Sequence, residues 1–133
     1  MIAVDTNVLV RILIDDPGQP EQVQAARALA SQATKVWVPL IVLVECVWVL
    51  ESAYRLDKAA VITALTHLHI NAAFVLQDET TARKALNLFR ASPADFSDCV
   101  ILAQAQREGL DLYTFDKKLI RLEGAYAVQP QGI

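Results

Sequence analysis

Asp5, Glu45, Asp98 and Asp116 are four carboxylates set against apolar sequence. Asp5 follows Met1-Ile2-Ala3-Val4, and Glu45 interrupts the otherwise apolar run from Leu40 to Leu50. Asp98 precedes Cys99-Val100-Ile101-Leu102-Ala103, and Asp116 follows Leu112-Tyr113-Thr114-Phe115. Acids are rarely buried without a partner or a cation, because the ionised group loses its hydration. Four such acids suggest one cluster assembled from distant parts of the chain, which would repel itself without a counter-charge. A hard divalent cation, Mg2+ with Mn2+ as the alternative, prefers oxygen ligands and supplies that charge. The chemistry such a centre serves is metal-assisted hydrolysis, in which bound water is made acidic and charge on a phosphate is neutralised.

Each acid also has a plainer reading. Asp5 stands before a helical segment, where an N-cap is the commonest use of Asp. Asp116 stands before Lys117-Lys118 and fits a turn. Glu45 fits a buried ion pair, but such a pair seldom stabilises more than apolar replacement does, so a functional acid is preferred. Asp98 shares the i+3, i+4 and i+7 stripe of Ile101, Leu102 and Ala105, a face that a solvated Asp avoids. Asp95 reads as the acid of a capping box in Ser92-Pro93-Ala94-Asp95, or as an additional acid beside Asp98. Asn7 can orient Asp5 by a side-chain hydrogen bond, and Thr114 brings a hydroxyl near Asp116.

These residues are positioned by alternating strands and helices. Ile2-Ala3-Val4 reads as a buried strand, and Val8 to Ile14 as a helix broken at Asp15-Asp16-Pro17-Gly18. A helix is expected over Glu21 to Ser31, a strand over Lys35 to Val38, and a long apolar helix from Pro39 through Tyr54. Asp57 caps a further helix from Lys58 to about His67, and Ala73 to Leu76 is a third strand. Asp78 caps a helix through Phe89, and the capping box opens another that ends at Gly109. Leu110 to Thr114 is a fourth strand, Asp116 to Leu122 a helical turn, and Tyr126-Ala127-Val128 a fifth strand. Such alternation implies a mostly parallel sheet covered on both faces, with ligands collecting beyond the carboxyl ends of its strands.

The chain has 133 residues, 54% apolar and 20% charged, which suits a single domain over residues 1–133 with one core. The formal charge of −3 argues against a basic nucleic-acid coat, but an acidic site can still reach phosphate through bound metal. Cys46 and Cys99 sit in apolar runs without metal-binding spacing, so they are expected to be reduced core thiols of a cytoplasmic protein. No signal peptide is visible, and Val36 to Leu50, with Pro39 and Glu45 inside it, is too short to span a membrane. With four glycines and no P-loop or GxGxxG, a nucleotide cradle is unsupported. His67 and His69, two apart, do not share a helix face and read as surface or helix-end residues.

Taken in order, Val4-Asp5-Thr6-Asn7-Val8-Leu9, the lone Glu45, Ala94-Asp95-Phe96-Ser97-Asp98 and Tyr113-Thr114-Phe115-Asp116 resemble a PIN domain, from residue 1 to about 122. The small size is most similar to the VapC-type toxins of toxin–antitoxin pairs. The resemblance implies a Rossmann-like α/β/α sandwich with a central parallel sheet of four to five strands. It also implies Mg2+- or Mn2+-dependent endoribonuclease activity, with Asp5, Glu45, Asp98 and Asp116 as the metal-binding quartet and Asn7, Thr114 and Asp95 in support. It further implies an RNA substrate, a homodimer, and a cognate antitoxin whose basic C-terminal segment plugs the acidic site. Lys117, Lys118, Arg121, Arg11, Arg83 and Arg90 are candidates to hold the RNA backbone. Three other readings compete: a flap-type DNA nuclease, for which the chain is short; a silent PIN scaffold, which an intact quartet disfavours; and a phosphorylatable receiver-like domain. The last would need adjacent acids after the first strand, where Asp5 is followed by Thr6.

Overall fold

The computed structural model describes residues 1–131 and divides into two compact units, Met1–Glu79 and Thr80–Ile133. In the first unit, β1 (Ile2–Ala3), β2 (Val36–Val38) and β3 (Phe74–Leu76) form a parallel sheet with β2 in the centre. Ile2 pairs with Val36, and Val36 in turn with Phe74, so the register is continuous across the three strands. Two helices make each crossover: α1 (Thr6–Leu13) and α2 (Pro20–Gln32) before β2, and α3 (Leu40–Ser52) and α4 (Lys58–Ile70) before β3. The sheet and helices close over Leu9, Leu43, Leu50, Leu65 and Leu68, all fully buried.

In the second unit, α5 (Glu79–Ala91, beginning at the last residue of the first unit) and α6 (Phe96–Arg107) precede β4 (Leu112–Thr114), a 3-10 turn at Leu119–Arg121, and β5 (Ala125–Ala127). β4 and β5 pair in parallel, Tyr113 opposite Tyr126. Phe89 of α5 and Phe96 of α6 meet edge to face at 5.7 Å. The Arg107 guanidinium donates to the Thr81 hydroxyl at 3.2 Å. The Gln106 side-chain amide donates to the Glu123 carbonyl at 2.8 Å. That bond requires glycine next door, since a Cβ at Gly124 would stand 2.7 Å from Gln106 Nε2.

The α/β class with parallel strands is as expected, and all five strands fall where the sequence places them. Among the described residues they lie in a three-stranded and a two-stranded sheet instead of one ladder of four to five. Strands of two or three residues offer few ladder hydrogen bonds, so the helices and their buried leucines carry the packing. The main local departure is at Ser92-Pro93-Ala94-Asp95. The capping box does not form: α6 begins at Phe96, and Asp95 occupies its N-cap without a side-chain cap bond. The Ser92 hydroxyl instead donates back to the Leu88 carbonyl at 2.7 Å, closing the end of α5. Gly109, at φ 72, follows the end of α6 in the left-handed conformation expected of a C-terminal glycine.

Candidate active site

Asp5 ends the β1 segment in extended backbone and caps α1, its Oδ1 accepting from the Val8 N–H at 3.0 Å. The cap uses one carboxylate oxygen and leaves the other outside the helix. Next to it, the Thr6 hydroxyl donates to Glu45 Oε1 at 3.4 Å, so the first turn of α1 meets the middle of α3 at Glu45. Glu45 is exposed, contrary to what its apolar flanks imply. α3 is apolar on every side, and its outer face carries Ile41, 64% exposed, and Trp48, 69% exposed, in line with Glu45. Apolar neighbours in sequence therefore did not mean apolar surroundings in space.

Asn7 is exposed and lines a cavity of about 380 Å³ with Asp5, Arg11, Gln22 and Leu29. Arg11, a candidate to hold RNA, is a structural tie in this structure. Its guanidinium donates to Gln22 Oε1 at 3.1 Å and to the Tyr54 hydroxyl, and lies 3.5 Å from Asp16. The Tyr54 hydroxyl donates to Asp16 at 2.8 Å. That bond, followed by one from the Gly18 N–H, holds the Asp16 carboxyl below the usual range. Neither Thr6 nor this Arg11–Tyr54–Asp16 network is signalled by sequence spacing. Only the position of Thr6 between Asp5 and Asn7 hints at a role.

The second unit holds the other acids. Asp98 lies in the first turn of α6, half-buried at the border of its core stripe, with Leu102 buried but Ile101 exposed. Burial raises its pKa above the ordinary carboxylate value, and the charges of Asp116 and Asp95 raise it further. All three influences push the same way at Asp98. Asp116 closes the turn after β4: its Oδ1 accepts from the N–H groups of Lys118 at 2.8 Å and Leu119 at 2.9 Å. The Thr114 hydroxyl accepts from the Asp116 N–H at 2.9 Å, a positioning bond of the kind its spacing suggested. Asp5 and Asp116 are therefore both caps, which leaves each a second oxygen for a ligand.

Among the described residues no three His, Cys, Asp or Glu side chains converge as a ready-made metal cage. The donors suit a hard cation in kind, being oxygens throughout, and the repulsion at Asp98 is what such a cation relieves. Burial pushes the Cys46 thiol up to about 12, and both cysteines are free and buried, which fits inert core thiols. His67 and His69 lie in the last turn of α4, His67 edge-on to Phe74 and His69 facing Glu79 at 3.9 Å.

Residues 2–125 match the family model described as the PIN domain. The chain belongs to the PIN domain family. This PIN domain is 24% identical over 132 residues to a VapC ribonuclease of Aquifex aeolicus (strain VF5), an alignment covering 98% of this chain and 97% of the relative. It is also similar, at 16% identity and a TM-score of 0.44, to the crystal structure of VapC20 of Mycobacterium tuberculosis, described as a sarcin-ricin loop cleaving toxin. That match covers 91% of this chain and 94% of the other. No helix of the described residues is long and apolar enough to cross a membrane.

Proposed function

We propose that this PIN domain is a divalent-metal-dependent endoribonuclease and the toxin of a toxin–antitoxin pair. The carrying observation is the setting of Asp98, where burial first, and then the charges of Asp116 and Asp95, oppose its ionisation. Carboxylates held in that state are poised for a cation. The similarity to a VapC ribonuclease supports the choice of RNA. A single family model spanning 2–125 supports reading residues 1–133 as one domain.

The carboxylates of Asp5, Glu45, Asp98 and Asp116 would hold Mg2+ or Mn2+, with Asn7, Thr114 and Asp95 in support. A divalent cation bound there supplies an acidic water and a counter-charge for the attacked phosphate. The protein's part is positioning. The Thr6 hydroxyl fixes Glu45, and the Thr114 hydroxyl fixes the backbone from which Asp116 projects. The caps made by Asp5 and Asp116 lock one oxygen of each carboxylate. In-line attack of water leaves 5′-phosphate and 3′-hydroxyl ends and needs no protein nucleophile.

The exposed Ile41 and Trp48 on α3 support a symmetric homodimer, since apolar surface of this kind favours association. A basic C-terminal segment of an antitoxin, presenting Arg to the acids, would compete with the metal for their charge. We read the protein as cytoplasmic. The test is cleavage of a labelled single-stranded RNA in Mg2+ or EDTA, beside flapped DNA. Divalent-dependent RNA cleavage is expected. Preference for the flap selects the DNA nuclease, and failure to cut either selects the silent scaffold.

A further inference from the structure

Parallel strands are ordinarily covered on both faces, because the helices that connect them pack there. The β4–β5 pair departs from this. Tyr113 and Tyr126 are directly opposed, their rings 5.8 Å apart and tilted by 35°. The pairing continues past the strands, with the Val128 N–H donating to the Thr114 carbonyl at 3.1 Å. Side-chain alternation then places Val128 on the same face as the two tyrosines, and Phe115 follows at the bend two residues after Tyr113. All four are open: Tyr113 is 63%, Phe115 79%, Tyr126 48% and Val128 36% exposed. The intervening residues Leu112, Thr114, Ala125 and Ala127 are buried or half-buried, so one face of the pair is packed and the other is bare and aromatic.

Two features identify an occupant. Lys117, Lys118 and Arg121 follow this face within six residues of Phe115, are exposed, and make no ion pair among the described residues. Asp116, one of the proposed metal-holding acids, is the residue immediately after Phe115. Aromatic rings beside unpaired cations match a single-stranded nucleic acid, whose bases stack on π-faces while its phosphates meet the cations.

We propose that Tyr113, Tyr126 and Phe115 form a stacking platform for the unpaired bases of the RNA substrate, with Lys117, Lys118 and Arg121 along its backbone. This rests on the ribonuclease reading and adds to it how the strand is delivered to Asp116. The platform selects single-stranded over duplex RNA, because only unstacked bases can lie on the rings.

The test is fluorescence anisotropy of a labelled mixed-sequence single-stranded 12-mer RNA with the full chain in EDTA, where binding is read without cleavage. The Tyr113→Thr/Tyr126→Thr double variant should bind about ten- to a hundredfold more weakly. Tyr113→Phe/Tyr126→Phe should bind as the parent does, since stacking survives loss of the hydroxyls. Ile70→Ser, which removes an exposed apolar residue elsewhere, should leave affinity unchanged. Lys117→Gln/Lys118→Gln should lower the salt dependence of binding, the log–log slope falling by about 0.7 for each phosphate that is no longer neutralised.

Unchanged affinity in the Thr double variant overturns the platform, and with cleavage intact leaves the nuclease reading standing. If that variant binds RNA normally but scatters light as a smaller species than the parent, the face is a protein contact and the proposal fails. If the Thr variant does not fold, weak binding by the Phe variant, whose fold keeps both rings, overturns it equally. A parent that fails to cleave in Mg2+ yet binds RNA through the tyrosines sinks the nuclease reading and leaves the platform.

Discussion

Replacing Asp116 in two ways separates its service to the fold from its proposed service to a cation. Its Oδ1 accepts two backbone N–H groups, from Lys118 at 2.8 Å and Leu119 at 2.9 Å. Asn retains that oxygen and caps about as well as Asp, whereas Ala removes it. Both bonds are near the surface, so their loss should cost about 1–2 kcal/mol, the range of a missing helix cap. Unfolding entropy of about 2 cal/mol/K per residue makes that about 4–7 °C of melting temperature for a chain of this length. Asp116→Ala should therefore melt lower than the parent by that amount in EDTA. Asp116→Asn should melt at or slightly above the parent, because it also removes a charge that opposes ionisation of Asp98. Cleavage of labelled single-stranded RNA in Mg2+ should fall at least about a hundredfold in both, since each takes a ligand charge from the cation. Melting is read by circular dichroism and cleavage on denaturing gels. An Asn variant that cuts RNA normally refutes the reasoning and returns Asp116 to the status of a turn residue.

Asp5→Asn, Glu45→Gln and Asp98→Asn should each show the same loss of cleavage, and EDTA should abolish it in the parent; two active variants, or activity surviving chelation, would be decisive against the quartet. In EDTA the Asp98→Asn protein should melt at or above the parent, whereas a clear loss of stability would indicate a buried partner for the carboxylate. Because the folded pKa of Asp16 is lowered, its stabilising contribution is present above the unfolded value and disappears as pH falls through the folded one. Tyr54→Phe removes the largest cause, so its melting deficit should be greatest above about pH 5 and shrink at lower pH; a deficit independent of pH would contradict this. Leu102→Ala, at a fully buried position of α6, should cost about 2–5 kcal/mol in chemical denaturation.

Local chemistry made the elements legible in the sequence. The caps at Asp5 and Asp57, Pro39 ahead of α3 and Gly109 after α6 are short-range features, and each stands where its residue type implies. The PIN motifs were equally readable, because they are short runs of residue types in a fixed order along the chain. Tertiary structure decided the surroundings of those residues. The apolar neighbours of Glu45 in sequence imply buried surroundings, but a helix apolar on all sides has to turn one face outward, and Glu45 lies there with Ile41 and Trp48. Ser92 to Asp95 has the composition of a capping box, but α6 starts only at Phe96, and the Ser92 hydroxyl, donating to the Leu88 carbonyl and accepting from the Ala94 N–H, closes the turn after α5 instead. Arg11 looked like a free cation until folding brought Gln22, Tyr54 and Asp16 around it. Periodicity and caps act over a few residues and can be read along the chain. Charge, exposure and pairing depend on residues that meet only after the chain has folded.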